Sequence, residues 1–540
     1  MWLDGQAILD FPRDAAVWGV LTQVTELIEQ HIEQYGHGSQ KQREAMINLG
    51  RDGALLLENL LRREFPQKAA WLRWTPALRE AAKVAVLSAH NYQTFASCFR
   101  MWHKGRQRVE VLSPTRLRFS ATRSATDRRI RAQQQGARIQ GWPSTRDNPV
   151  DKSFVNDPDV ALLLSRLAAQ IQLDGALAMH YPDDSELLSV LRDIFDIRLR
   201  SAFRRNASLD LGGYDLSDVR RVFAVLYSLS AVHEYLCDLW RKMCGRYPFE
   251  SAVMMRPLDG WVGIASCLSR VAEASVRRIL ADLTFGAIRP LDIYIHPFVP
   301  SSDRRSLFLI PHFVLNTRPE ENILRVCSYA RPKYYSVISN AKEGEMRDHI
   351  QLDAPSRYKI SGPFKPSDSN LPDIDLVITD PKNAAVLIGE LKWVRKAAHV
   401  LEHLDRDAEL EKGFRQLHAI RAFLLNNPTF LRDVGVVKTK KGKPQISYFV
   451  IARDHMIDKL EDDGIWLAEF DALIWSLRQS RSLTAAIRRL KRLEWLPKEN
   501  REFEVTFESS SVAGVAIETE TFHRPPDLAA PGMPNEPISA

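Results

Sequence analysis

The stretch Leu371-Pro372-Asp373-Ile374-Asp375-Leu376-Val377-Ile378-Thr379-Asp380, followed by Val386-Leu387-Ile388-Gly389-Glu390-Leu391-Lys392-Trp393, decides the fold. Its apolar, β-branched runs predict two strands, Ile374 to Thr379 and Ala385 to Trp393. The turn formers Asp380-Pro381-Lys382-Asn383 separate them. An antiparallel hairpin centred on residues 382–383 sets Asp375 opposite Glu390. Residues two apart share a strand face, so Lys392 points the same way as Glu390. Two carboxylates and an ammonium then converge on one face of a sheet. Carboxylates that close repel, and burying them is costly unless a cation is shared. A divalent ion bound through oxygen meets that need, and Mg²⁺ takes one or two carboxylates together with water and phosphate. Asp373 lies on the same face as Asp375, but it follows Pro372, where a turn or cap role accounts for it.

With Asp375 on the first strand and Glu390-Leu391-Lys392 on the second, the segment resembles the PD-(D/E)xK nuclease superfamily over about residues 330–460. The resemblance implies an α/β domain with a central mixed sheet flanked by helices. It implies phosphodiester cleavage of nucleic acid, DNA ahead of RNA, with Mg²⁺ held by Asp375 and Glu390, Mn²⁺ as a substitute, and Lys392 acting on the attacking water and the phosphate. Such nucleases often draw a further carboxylate from the helix before the first strand. Glu343, Glu345 and Asp348 are available on a helix expected from about Tyr334 to His349. Ile338, Ala341 and Glu345 share one face, which selects Glu345. A Gln on the helix after the E-x-K strand is also common, and Gln416 occupies that place. The tyrosine that accompanies it in some branches is absent, since Ile420 stands there. His399-Val400-Leu401-Glu402-His403 matches the short H-x-x-E-H zinc pattern. No third ligand is singled out, so a zinc hydrolase through His399, Glu402 and His403 ranks third.

Working outward, a helix is expected from Glu409 to Leu425, with Leu410, Phe414, Leu417, Ile420 and Leu424 on one stripe. A strand is expected from Ile446 to Ala452 and a helix from Leu467 to Leu490. Upstream, Leu291 to Ile295 and Leu307 to Ile310 predict a hairpin around Pro300-Ser301-Ser302-Asp303. Residues 1–285 predict a largely helical region for binding or partner contact, in two units split near 141–150. Asp215 and Asp218 are N-caps for a helix over Val219 to Leu239. The expected organisation is multidomain: this helical N-terminal region, an α/β restriction-endonuclease-like domain over 286–500 with a central mixed sheet, then short strands and a Pro-rich disordered tail over 501–540.

Composition bounds the function. The 540 residues carry 74 Lys and Arg against 67 Asp and Glu, a net charge of +7, and 45% are hydrophobic. That is ordinary globular chemistry with a local basic patch. Residues 100–138 contain eleven Lys and Arg against Glu110 and Asp127. Arg116, Arg118, Arg123, Arg128, Arg129 and Arg131 are therefore candidate phosphate contacts for nucleic acid. The alternatives are a solvated loop or a face for an acidic protein. Five cysteines without a C-x-x-C exclude a disulfide framework or Cys-based zinc site. No phosphate-binding Gly-Lys-Ser/Thr loop, G-x-S-x-G or G-x-G-x-x-G occurs, so any coupled NTPase or sensing activity must come from a protein partner. Neither a signal peptide nor a membrane span is expected, which predicts a cytoplasmic protein. Together these point to a nuclease, with a restriction or phage-defence setting by analogy. The alternative is a non-catalytic nucleic-acid-binding or assembly subunit that keeps the fold.

Overall fold

The computed structural model describes residues 6–35, 40–63, 72–120, 124–134, 152–174, 178–200, 208–245, 247–286, 292–317, 319–366, 371–382, 384–395, 400–427, 430, 445–453, 457, 459–512 and 514–523. The chain folds as a largely helical N-terminal region followed by a C-terminal region whose central mixed sheet is flanked by helices. It divides into two compact units: residues 1–94 with 146–338, and residues 95–145 with 339–540. The boundary thus lies at 338, where the sequence placed it at 285. The interval expected to split the helical region, 141–150, lies outside the described residues.

In the first unit the helices are α1 (Arg13–Tyr35), α2 (Gln40–Arg62), most of α3 (Pro76–His103), and, after the inserted segment, α5 (Pro158–Ala168), α6 (Ser185–Leu199) and α7 (Leu216–Cys244). They continue with α8 (Leu258–Ser269), α9 (Glu273–Asp282), α10 (Pro311–Asn316), α11 (Pro319–Ala330) and the first turns of α12 (Pro332–Asp353). A two-stranded sheet, β3 (Gln172–Asp174) with β4 (Ala178–His180), and a three-stranded sheet complete it. The latter has the order β5 (Met254–Pro257), β7 (Ser306–Leu309), β6 (Phe298–Pro300). Helix α7 begins with a reciprocal cap: the Asp215 side chain accepts from Asp218 N, and the Asp218 side chain accepts from Asp215 N. It ends at Gly245, whose φ of 72° suits glycine. Among the described residues α7 alone is long and apolar enough to cross a membrane, which the sequence reading overlooked. Of its most apolar window, 83% is buried inside the protein, as in a central core helix.

Of the expected strand Leu291 to Ile295, Leu291 lies outside the described residues, and the rest forms a turn instead. Asp292 organises a turn there, its Oδ1 accepting from Tyr294 N at 2.8 Å and its carbonyl from His296 N at 2.8 Å. Ile293 and Ile295 are buried from that turn, so their apolar character mimics a strand. Leu307 to Leu309 do fall in a strand, β7, whose hairpin partner is β6, while Ile310 is the N-cap residue of α10.

The second unit is built on a six-stranded mixed sheet. Its order is β12 (Glu461–Asp462), β13 (Ile465–Glu469), β11 (Gln445–Arg453), β10 (Ala385–Trp393), β9 (Leu376–Asp380), β8 (Lys359–Ser361). Strands β10, β11 and β13 run parallel, and the outer pairs are antiparallel. Helix α12 precedes the sheet, α13 (Val400–Asn426) follows β10, and α14 (Phe470–Gln479) and α15 (Leu483–Lys491) follow β13. The stripe Leu410, Phe414, Leu417, Ile420 and Leu424 is buried against the sheet, as its spacing predicts. The helix expected over Leu467 to Leu490 is instead a strand end and two helices. Ser482 stops the run by capping α15, its Oγ accepting from Ala485 N at 3.2 Å.

The arginine-rich segment contributes β1 (Arg108–Ser113), β2 (Arg116–Ser120) and α4 (Ala125–Gln134) to this unit. The hairpin β14 (Glu504–Val512) and β15 (Val515–His523) completes a four-stranded sheet in the order β1-β2-β15-β14. Residues after 523, expected to form a disordered tail, lie outside the described residues.

Candidate active site

The β9–β10 hairpin pairs Ala385 with Asp380 and continues without a slip to Gly389 with Leu376. The next positions in that register are Glu390 and Asp375. Asp375 sits one residue before β9, and its Oδ2 accepts from Leu391 N at 2.9 Å. Gly362 holds the backbone at this point. Its φ is 128°, and a Cβ there would lie 2.5 Å from the Asp375 carbonyl oxygen. On β10, Lys392 Nζ donates to Glu390 Oε1 at 2.6 Å. Glu390 is 2% exposed and Lys392 9%. Glu390 Oε2 is buried and receives no hydrogen bond.

Helix α12 brings a third carboxylate. Glu343 Oε1 accepts from Trp393 N at 3.4 Å, and the charges of Lys392 and Asp375 act on it. Glu345, the residue chosen from sequence, pairs instead with Lys342 at 3.2 Å. The reason lies in the buried stripe of α12, which runs Ile338, Lys342, Met346, Ile350. A lysine stem occupies one position of that stripe and hides it from a reading based on apolar spacing.

Burial dominates the electrostatics. It pushes the Glu390 carboxyl up to about 8, reinforced by the Asp375 charge and opposed by Lys392. It pushes Glu343 up to about 7, opposed by Lys392. Asp375 is also raised by burial, against the Leu391 N–H and Lys392. Burial works against the Lys392 ammonium too, but Glu390 and Glu343 more than offset it and hold the lysine charged. One ammonium therefore faces three carboxylates, with Arg347 and Glu409 acting from the flanks with opposite signs. Two negative charges are left over when all three carboxyls ionise. Protonation of Glu390, or a cation at its unused oxygen, would relieve that excess.

Helix α13 closes over the cluster through Gly413. A Cβ there would lie 3.1 Å from Val450 Cγ1 and 3.4 Å from Lys392 Cε. Gln416, one turn further on, has a buried Oε1 that accepts nothing. Asp373 is not among the groups that set the charges of Asp375, Glu390 or Lys392. Of the H-x-x-E-H residues, His399 and the His403 side chain lie outside the described residues, and Glu402 is buried with Arg406 Nη2 at 3.9 Å.

The candidate phosphate contacts are mostly engaged within the chain. Arg116 Nε and Arg118 Nε donate to the two oxygens of Glu518 at 2.6 and 2.7 Å. Arg128 Nε donates to Glu499 at 2.7 Å. Arg129 donates to the carbonyls of Leu493, Leu496 and Pro497 at 2.7–2.9 Å. Arg131 is half-buried on α4, and Arg123 lies outside the described residues.

The first unit holds a second set of ligand-type side chains that sequence spacing does not reveal, since its members come from α1, α7 and α10. Glu29, Glu234 and His312 form a buried cluster able to coordinate a divalent cation, with one ligand atom from each within 4.8 Å of the others. His312 Nε2 is 2.8 Å from Glu29 Oε1 and 3.3 Å from Glu234 Oε2. Arg241 Nη1 reaches the other Glu29 oxygen at 2.8 Å, and Tyr247 Oη donates to Glu234 at 3.3 Å. Burial raises the Glu29 carboxyl, but His312 and Arg241 together bring it below the usual value. Arg241 also pairs with Asp238 at 2.6 Å and with Glu33 at 3.2 Å, so the carboxylates around this cluster outnumber its cationic groups.

Comparison with protein-family models, with curated proteins and with solved structures finds no match.

Proposed function

We propose that the second unit is a divalent-metal-dependent nuclease of the PD-(D/E)xK kind, cutting phosphodiester bonds in nucleic acid, DNA ahead of RNA. The observation that carries this reading is the buried, unbonded Oε2 of Glu390 beside a second carboxylate and a charged lysine. Asp375 and Glu390 would hold Mg²⁺ or Mn²⁺, with Glu343 at the margin of the site. The bound ion would supply Lewis-acid stabilisation of charge at the scissile phosphate. Lys392 Nζ, kept protonated and aimed by its 2.6 Å bond to Glu390, places a further positive charge where the phosphate becomes more negative. Gln416 Oε1 offers an acceptor from α13 to orient water or a substrate hydroxyl. The helical first unit suits a restriction or phage-defence nuclease by analogy, with sensing or NTP hydrolysis supplied by a protein partner.

A second reading, a non-catalytic nucleic-acid-binding or assembly subunit, is favoured by one feature: the Lys392–Glu390 pair is closed upon itself. The test is incubation of the full chain with plasmid and single-stranded DNA in Mg²⁺, Mn²⁺ or EDTA, beside Asp375→Ala. The nuclease reading expects metal-dependent cleavage that Asp375→Ala abolishes. Wild-type protein that binds nucleic acid but cuts nothing in either metal leaves the binding-subunit reading.

A further inference from the structure

Exposed cationic residues and exposed aromatic rings occur together at the end of α3. Phe99 is 46% exposed and Trp102 44%, with ring centroids 5.3 Å apart. His103 stacks on Phe99 at 6.5 Å with an interplanar angle of 5°. The helix is anchored beside them, since Cys98 and Phe95 pack with Phe119 and Ile517 of the four-stranded sheet, and the Phe95 ring lies 6.1 Å from that of Phe99. The rings are therefore held on an anchored helix as a small aromatic cluster that stays about half exposed. Arg100, Lys104 and Arg108, close to them in the chain, are exposed, and none makes an ion pair among the described residues. This contrasts with Arg116, Arg118, Arg128 and Arg129, whose donors are used internally.

This surface is tied to the candidate active site within one unit. Arg106, four residues beyond Trp102, forms an ion pair with Asp407 of α13. Four residues span at most about 14 Å of chain. From Asp407 to Gly413, whose neighbour is Lys392 Cε, is about 9 Å of helix. An apolar face flanked by unpaired cations suits a ligand that is itself flat and apolar with regular negative charge. Unstacked bases on a phosphate backbone have that chemistry. Paired bases in a duplex do not offer their faces.

We propose that Phe99 and Trp102, flanked by Arg100, Lys104 and Arg108, form a stacking platform for single-stranded nucleic acid that feeds the Asp375–Glu390–Lys392 site. The proposal rests on the nuclease reading for its purpose, but its binding step is separable from cleavage. The experiment measures fluorescence anisotropy of a labelled 20-nucleotide DNA strand and of the same sequence as a duplex. It uses the full chain in EDTA at two salt concentrations. The expected result is tighter binding of the single strand, weakened at least about tenfold by Phe99→Ala with Trp102→Ala. Trp102→Phe alone retains most of the affinity. Arg100→Ala with Lys104→Ala weakens binding and flattens its salt dependence. Single-strand affinity unchanged in the double aromatic variant overturns the proposal, as does equal weakening of strand and duplex. So does the absence of nucleic-acid binding by the wild type, which leaves this face to a protein. Cleavage is scored separately in Mn²⁺: aromatic-dependent strand binding without cleavage by the wild type keeps the platform and removes the nuclease reading. Cleavage with aromatic-independent binding does the reverse.

Discussion

Glu390 is held in a state that favours a ligand over the empty protein. Its carboxyl is pushed up to about 8 by burial and by Asp375, against an ordinary value of 4.5. A carboxyl whose folded pKa is raised contributes full stability below its unfolded value, and that stability is lost as pH rises towards the folded one. The metal-free protein should therefore lose stability between about pH 4.5 and 8 through this residue. Glu390→Gln removes the titration and keeps the shape. At pH 8 it should stabilise the metal-free protein by a few kcal/mol while abolishing metal-induced stabilisation, which urea melts with and without Mn²⁺ would show. A Glu390→Gln protein less stable than wild type at pH 8 contradicts the charge reading. The pairing of this residue with Asp375 was legible in the sequence because a hairpin with a short turn has one register, and the turn formers fix its centre. Its orphaned oxygen was not, because burial depends on how α12 and α13 pack over the strand, which no local pattern encodes.

At the scale of elements, α12 separates two glutamates two residues apart. Glu343 reaches the Trp393 backbone and senses Lys392, while Glu345 pairs with Lys342. Glu343→Ala should lower cleavage at least about tenfold, the usual effect of removing a group that tunes a metal site. Glu345→Ala should leave the rate within about twofold, as expected for a half-buried pair away from the reacting groups. Steady-state rates in Mg²⁺ on one substrate distinguish them, and the opposite order of effects restores Glu345 as the site residue. Helix α13 shows the other side of legibility. Its five-residue apolar stripe was read correctly because each position was a large hydrophobe. The stripe of α12 was misread because Lys342 occupies one of its four positions. Similarly, the buried Ile293 and Ile295 suggested a strand where Asp292 had already committed the backbone to a turn.

Among the described residues, the buried clusters around Glu390 and around Glu29 respond to pH in opposite ways. In the second unit, excess carboxylate is relieved by acid. In the first, Glu29 is held below its ordinary value by His312 and Arg241, so its contribution is present above about pH 4.5 and is lost as pH falls. Hydrogen exchange of the metal-free protein should show α13 loosening as pH rises from 5 to 8, and α7 loosening on acidification below pH 4.5. His312→Ala leaves Glu29 and Glu234 facing each other and should destabilise the first unit by about 3–5 kcal/mol. Urea melts that show no loss would mean that Arg241 and Tyr247 suffice. The mixed sheet with flanking helices was legible from the hairpin outward. The contribution of residues 95–145 to the second unit was not, because β2 pairs with β15 across some 400 residues and no local pattern encodes that contact.

The central claim is that Asp375 and Glu390 bind a metal while Lys392 acts on the chemistry, and Lys392→Ala tests it most directly. Mn²⁺ affinity and DNA cleavage are measured on the same preparations of wild type and variant. The account predicts Mn²⁺ binding within a few-fold of wild type and cleavage reduced at least about a hundredfold. Lys392→Arg should fail as well, because a planar guanidinium cannot occupy the place of a compact ammonium 2.6 Å from Glu390 Oε1. Cleavage by Lys392→Ala at the wild-type rate would contradict the account and move the chemistry away from this strand.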